Sequence, residues 1–255
     1  MMCRLAAYIG AKISLSVFLK EHEHNLIQQS WAPKEMQNGI LNADGYGIAW
    51  LSEKNIPSSY KNILPIWSDT NLNSLARSLS SQLWLANIRG ATLGQGISES
   101  NTQPFIKDSF IFTHNGSLEP FNDLTKANFL DILPSTIITG ITGNSDSLYL
   151  FALLRHHLER QDSISNAIIS MMDDLKSICR HSISALVNII ISDGNSLYAC
   201  RHALNGECPS LYYLFNQDNV WIASEPLSPN DTWVSFPENS FIRFNRAGVI
   251  EEHHL

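Results

Sequence analysis

Met1-Met2-Cys3-Arg4-Leu5-Ala6-Ala7-Tyr8-Ile9 is the stretch on which the reading of this chain turns. From Cys3 to Ile9 the run is apolar except for Arg4, the pattern of a first, buried strand. Cys3 becomes a first residue once both methionines are removed. A cysteine at a free N-terminus carries a thiol and an α-amine on one carbon. An unperturbed α-amine titrates at about 7.7–8.0, so near neutral pH it can take the thiol's proton, placing a nucleophile beside its own base. A cysteine taken alone is far more often buried and inert. Cys3 therefore needs support from the rest of the chain.

The chain has 255 residues, 44% hydrophobic and 16% charged, which describes a globular protein with a sizeable core. No linker or low-complexity stretch interrupts it, so residues 3–255 read as one domain. The net charge is −7 and no basic stripe is visible, which argues against nucleic acid. The cysteines (Cys3, Cys179, Cys200, Cys208) are too few and scattered for a disulfide framework, and no Cys-x-x-Cys pair suggests zinc. The first apolar run is broken by Lys12 and is too short for a signal peptide, and no stretch approaches the ~20 apolar residues of a membrane span. The expectation is a soluble, cytoplasmic protein with reduced thiols. Glu21-His22-Glu23-His24 alternates carboxylate and imidazole, but no second cluster supplies the remaining ligands of a tetrahedral site, so it reads as a solvated turn. No glycine-rich phosphate loop or dinucleotide fingerprint is present, and neither metal nor cofactor is expected.

Along the chain, Ile13 to Lys20 fits a short helix or a second strand. Asn42 to Trp50 is a turn leading into a strand, and its close pair of glycines, Gly45 and Gly47, suggests tight backbone approach or an ordinary hairpin corner. Leu72 to Leu83 has helical spacing, and Leu83 to Ile88 is a strand ending in Arg89-Gly90-Ala91-Thr92. Phe110 to Thr113 is a strand delivering His114-Asn115-Gly116, whose Asn-Gly pair a type I′ hairpin turn also explains. Phe121 to Leu133 is a helix or broken helix. Asn144 or Ser145 caps a clear helix with Asp146 in its first turn, and Ser163 to His181 is a second that packs antiparallel on it. After Ser182 short strands alternate with turns. The pattern predicts mixed sheets in the middle and helices outside.

Cys3, Arg89-Gly90-Ala91-Thr92, His114-Asn115-Gly116 and Ser145-Asp146-Ser147, in this order, resemble the class II glutamine amidotransferase family of N-terminal-nucleophile hydrolases. Met2-Cys3-Arg4-Leu5, Asn42 to Trp50, Leu64 to Asp69, Asn101 to Phe105 and Ala223-Ser224-Glu225-Pro226-Leu227 are similar to its small stand-alone branch, which includes the ergothioneine-pathway γ-glutamyl hydrolase. The resemblance implies an α+β fold, a four-layer αββα sandwich. It implies that Cys3 attacks a γ-glutamyl amide to give a thioester, with its own amine relaying the proton. Asn115 and Gly116 would stabilise the oxyanion. Arg89 would hold the α-carboxylate and Asp146 the α-ammonium. Thr92 and His114 fall in the substrate-binding motifs.

Two positions depart from the large biosynthetic members, which carry an aromatic residue and a histidine where this chain has Gly90 and Leu93. The departure leaves room for a bulky leaving group. The length accommodates the glutaminase unit alone, so the expected reaction is hydrolysis, with γ-glutamyl-hercynylcysteine sulfoxide as the implied substrate in ergothioneine biosynthesis. Its trimethylammonium group would need an aromatic face. Trp67, with Trp31 or Trp50, is the candidate. The competing expectations are a glutathione-degrading or other amidotransferase subunit acting with a partner protein, and a non-catalytic module that keeps the pocket. Self-association and a partner subunit both stay open.

Overall fold

The computed structural model describes residues 3–36, 39, 41–92 and 94–255. Met1, Met2 and Leu93, which carry part of the sequence reading, lie outside the described residues. The chain opens with β1 (Arg4–Ser14), α1 (Leu15–Lys20) and α2 (Leu26–Trp31). β2 (Tyr46–Leu51), β3 (Pro57–Asn62), α3 (Leu72–Ser78) and β4 (Ser80–Ile88) follow. Next come β5 (Phe105–Lys107), β6 (Phe110–Glu119), α4 (Asp123–Leu130), α5 (Ser135–Ile138), α6 (Asp146–Leu158) and α7 (Ile164–Cys179). The last part is β7 (Ser184–Ser192), β8 (Leu197–Leu204), β9 (Tyr212–Asn216), β10 (Asn219–Ala223), β11 (Val234–Ser235), β12 (Ser240–Asn245) and β13 (Gly248–His254).

The strands form two sheets, β11-β9-β10-β1-β4-β2-β3 and β13-β12-β8-β7-β6-β5. Every pairing among the described strands is antiparallel, which corrects the expectation of mixed sheets. The period of two along a strand explains how β1 can be apolar throughout. Leu5, Ala7 and Ile9 face the second sheet and pack with Ile111, Ile190, Leu197 and Ile242. Ala6 and Tyr8 face the other way, onto Phe18, Leu19 and Leu26 of α1 and α2. On the far side, Val187, Ile189 and Ile191 of β7 pack beneath Leu153, Leu154, Met171 and Leu175 of α6 and α7. The result is the expected four-layer αββα sandwich. α6 and α7 are antiparallel neighbours, since His157 pairs with Asp174 at 2.8 Å and Gln161 with Ser170 at 3.0 Å.

Local expectations met tertiary packing at several points. The helical spacing from Leu72 ends at Ser78, because Ser80 and Ser81 already pair with Ser14 and Ile13 of β1. Asn115-Gly116 lies inside β6 and makes no hairpin turn. Gly45 and Gly47 do mark close approach. Gly45 has φ +106°, and a Cβ on Gly47 would meet the Gln103 carbonyl oxygen at 2.2 Å. No helix among the described residues is long and apolar enough to cross a membrane. In the Glu21–His24 stretch, His22 packs edge-on against Trp221 and His24 bonds Glu225 at 2.7 Å.

Candidate active site

Sheet register brings the first two candidates together. Arg4 lies opposite Ile88, so Cys3 and Arg89 continue adjacent strands at one end of the sandwich. Cys3 has the same parity as Leu5 and Ala7 and therefore faces between the sheets. It is buried, with Sγ 4.0 Å from the Gly90 carbonyl oxygen. Burial pushes its thiol up from the ordinary value; the charges of Arg89 and Arg4 pull it down and that of Asp146 pushes it up. At neutral pH the resting group is a thiol, so attack requires a base.

Arg89 is anchored by its backbone and left partly free at its tip. Its N–H donates to the Gly45 carbonyl at 2.8 Å and its own carbonyl accepts from Asp44 N–H at 3.0 Å. Asp44 also accepts the Ala91 N–H at 2.7 Å, so one carboxylate shapes the loop after the arginine. The guanidinium Nη2 donates to the Gly96 carbonyl at 3.1 Å, while the buried Nη1 has no partner among the described residues. An unsatisfied, charged, buried donor is costly unless something completes it. Thr92 sits half-buried in this loop, its carbonyl accepting the Gln95 N–H at 3.0 Å.

β6 supplies the rest. β7 pairs along it from Ile111 to Glu119, but β5 covers its other edge only as far as Phe112. Beyond that, side chains take over. The His114 N–H donates to Gln103 Oε1 at 2.5 Å and the Leu118 N–H to Asp146 Oδ2 at 2.9 Å. Amides two residues apart on a strand point to the same side. The Gly116 N–H therefore faces this open edge, between Gln103 and Asp146. A Cβ on Gly116 would meet the Leu186 carbonyl oxygen at 1.7 Å, so only glycine fits there.

The same alternation separates His114 from Asn115. Asn115 points between the sheets, with its side-chain amide 3.1 Å from Ser224 Oγ. That hydroxyl already accepts the Leu5 N–H at 3.0 Å, and Asn115 Oδ1 is buried without a partner among the described residues. Amide oxygen and nitrogen are assigned by their partners. A half-turn of the amide lets Ser224 donate to Oδ1 and leaves both Nδ2 hydrogens available to another acceptor. His114 instead points toward α6. Its Nε2 lies 3.1 Å from the Leu186 carbonyl oxygen and its Nδ1 2.9 Å from Ser147 Oγ. A carbonyl can only accept, so Nε2 carries the proton and Nδ1 accepts from Ser147. Burial lowers the pKa of this imidazole, keeping it neutral. The structure thus places His114 on the opposite face from Cys3 with both ring nitrogens engaged, unlike the substrate-binding place expected for it.

Ser145 caps α6, its Oγ accepting the Leu148 N–H at 3.4 Å. Asp146 is buried in the first turn, with Oδ1 accepting the Ser147 N–H at 2.8 Å and Oδ2 held by Leu118. A buried thiol, an arginine and a carboxylate therefore gather at one end of the sandwich.

A family model described as class II glutamine amidotransferases matches residues 23–217. The chain belongs to the class II glutamine amidotransferases. It is an amidohydrolase of that type. Gamma-glutamyl-hercynylcysteine sulfoxide hydrolase from Mycobacterium tuberculosis is 28% identical over 250 residues, covering 97% of this chain and 95% of that protein. The protein of the same name from Mycolicibacterium smegmatis is also 28% identical, covering 98% of each. "Probable glutamine amidotransferase DUG3" of Saccharomyces cerevisiae is 27% identical, covering 98% of this chain and 83% of that protein. Among solved structures, a glutamine aminotransferase class-II domain protein from Silicibacter pomeroyi superposes with TM-score 0.72 at 24% identity, covering 99% of both chains. The PRPP amidotransferase of B. subtilis superposes at TM-score 0.65 and 14% identity, covering 99% of this chain and 49% of that one. These two likenesses establish the fold.

Two supports of this amidotransferase, one buried and one half-buried, were not legible in its sequence. Arg4 and Glu225 form an ion pair at 3.3 Å with both side chains essentially unexposed. Burial alone would raise the Glu225 pKa, but His24, the Lys34 and Glu35 amides and Arg4 together hold it below the usual range. The pair ties the start of β1 to the end of β10 and to the loop after α2. Asp69 does the same for the Trp67 loop. Its Oδ2 accepts from Tyr46, Tyr60 and Asn62 at 2.6, 2.7 and 2.8 Å. Burial opposes ionisation, yet these donors hold its pKa at about 2. The folded pKa lies below the unfolded value of about 3.9, so this stabilisation is present above about pH 4 and is lost as pH falls toward 2. Asp69→Asn should lower the Tm at pH 7, and the gap to wild type should close between pH 4 and 2. Melts across that range giving a constant gap would refute the ionic origin.

Trp67 itself is 43% exposed and meets Trp31 edge-to-face with centroids 5.7 Å apart. Its loop is tied through Asp69 to Tyr46, which is in register with Ile88 and Arg4 and so marks the Cys3 end of the sheet. Among the described residues it does not enter the hydrogen-bond network of Arg89, Asn115 and Asp146. Trp50 packs on Trp84 instead, four residues further along β2, about 13 Å away at the strand rise. Trp50 therefore leaves the aromatic group.

Proposed function

We propose that residues 3–255 act as one glutaminase-type unit that hydrolyses a γ-glutamyl amide through Cys3. The observation that carries this reading is the buried Cys3 thiol beside Arg89 on the adjacent strand, whose Nη1 has no partner among the described residues, with the Asp146 carboxylate bonded to the open edge of β6. One cationic and one anionic group beside a nucleophile match a free amino-acid head. A bidentate guanidinium suits the α-carboxylate, and Asp146 retains lone pairs for the α-ammonium. The γ-carbonyl oxygen, on attack, takes hydrogen bonds from Asn115 Nδ2 and the Gly116 N–H. The neutral His114 has no free nitrogen, so the proton goes to the α-amine of Cys3, which requires cleavage of the Met2–Cys3 bond. His114 and Ser147 fix the strand that holds these donors, and Thr92 shapes the loop beside Arg89.

The leaving group we assign is hercynylcysteine sulfoxide, supported by the names of the mycobacterial relatives and by the paired Trp31 and Trp67 at the same end of the sheet. The likeness to the yeast protein makes glutathione the second candidate. Glutamate release should be measured from glutamine, glutathione and γ-glutamyl-hercynylcysteine sulfoxide. The sulfoxide should give the highest kcat/KM, and no release from any of the three would reject the reading. A quaternary ammonium on an aromatic face is worth about 0.5–2 kcal/mol. Trp67→Ala should therefore raise KM for the sulfoxide about 2- to 30-fold while leaving glutamine unchanged. Equal effects on both substrates would exclude the aromatic contact.

A further inference from the structure

Asn101 opens the motif Asn101-Thr102-Gln103-Pro104-Phe105, which the reaction above does not use. It ends a 3-10 turn, Glu99–Asn101, and is 3% exposed. Its side chain can make four hydrogen bonds and makes all four. Nδ2 donates to the Gly96 carbonyl at 2.9 Å and to Asn144 Oδ1 at 2.8 Å. Oδ1 accepts from the Asn144 N–H at 3.0 Å and the Ser145 N–H at 3.1 Å. The Gly96 carbonyl is also the acceptor for Arg89 Nη2, at 3.1 Å. Ser145 is the cap of α6 and the residue before Asp146. One buried amide therefore spans the loop that aims Arg89 and the helix end that aims Asp146.

We propose that Asn101 is a positioning residue that sets the separation of the α-carboxylate and α-ammonium sites. This rests on the γ-glutamyl reading of the same pocket. The surroundings are built for it: a Cβ on Gly143 would meet Asn101 Oδ1 at 2.3 Å, so the chain keeps a glycine where the amide must approach. Arg89 follows β4 and Asp146 opens α6, the two share no hydrogen bond among the described residues, and Asn101 gives them a common reference. A head group bearing both charges gains only if both sites are at the right distance, whereas a head group bearing one charge is indifferent to it. The loss from a small displacement is large, up to about 100-fold for roughly 1 Å.

The test compares L-γ-glutamyl-p-nitroanilide with glutaryl-p-nitroanilide, which lacks the α-amine, in wild type, Asn101→Asp and Asn101→Ala. Asn101→Asp keeps the shape but loses both donated bonds. Wild type should prefer the γ-glutamyl compound. In both variants KM for that compound should rise about 10- to 100-fold with kcat changed far less, and the preference over the glutaryl compound should shrink by the same factor. The ratio is taken on one sample, so partial unfolding cancels from it. A wild-type preference kept intact in both variants overturns the coupling alone. A wild type without any preference overturns the γ-glutamyl reading and the coupling with it.

Discussion

Cys3→Ala is expected to abolish glutamate release, lowering kcat by on the order of 10⁴–10⁶-fold, the usual cost of removing a nucleophile. The substitution removes one sulfur from a buried position at the end of β1 and leaves Arg89, Asp146 and the β6 edge untouched. Substrate binding should therefore survive, and equilibrium binding of the γ-glutamyl compound to the variant should match the wild-type KM within a few-fold. This separates an enzyme from a module that only binds: a Cys3→Ala protein with full turnover would exclude the thiol. The same measurement bears on the base. Burial keeps the thiol protonated and His114 is occupied on the other face. The α-amine must then be free, and the intact mass of active protein should correspond to a chain starting at Cys3. Activity in a preparation that retains Met2 would remove the amine from the mechanism.

Asn115→Ala should lower kcat by about 10²–10³-fold with little change in KM, the typical loss of one oxyanion donor. The amide acts only when charge develops on the substrate oxygen, so ground-state binding is spared. Ser224 sharpens the expectation. Its hydroxyl is shared between the Leu5 N–H and the Asn115 amide, and so fixes which end of that amide is left free. Ser224→Ala alone should cost about 10-fold in kcat, a net hydrogen bond's worth of orientation. In the Asn115→Ala background it should cost almost nothing, because nothing is left to orient. Coupling between neighbours of this kind is what a double-mutant cycle measures. Independent, multiplying effects would show that Ser224 acts on the strand and not on the amide.

Much of this protein was legible in its residues. The apolar run after Cys3 is a strand with both faces covered, and its composition demands that burial wherever the neighbours come from. The capped start of α6 at Ser145 follows from local chemistry, since a hydroxyl one residue before a helix satisfies an otherwise open amide. The order of Cys3, Arg89, Asn115-Gly116 and Asp146 carries the family, because residue types that perform a reaction repeat in sequence even where the fold around them drifts. The edge strands β3 and β13 were not legible. Neither packs a continuous apolar face into the core, so no period-two alternation marks their polar sequences.

What the tertiary structure alone decided is direction and partnership. Asn115-Gly116 has the local chemistry of a turn, and only the ladder to β7 makes it strand. That ladder then sends Asn115 between the sheets, sends His114 to the helices, and leaves the Gly116 amide at an open edge. Asp44, Asn101 and Ser224 look like turn and loop residues along the chain. The roles of Asp44 and Ser224 exist only because antiparallel registers bring Gly45 to Arg89 and Leu5 to Ser224, and that of Asn101 because two loops, at Gly96 and Asn144, meet on its side chain. A hydrogen bond between residues far apart in sequence leaves no periodic trace. Residue types could therefore nominate the nucleophile and the head-group anchors, while packing chose which neighbours aim them.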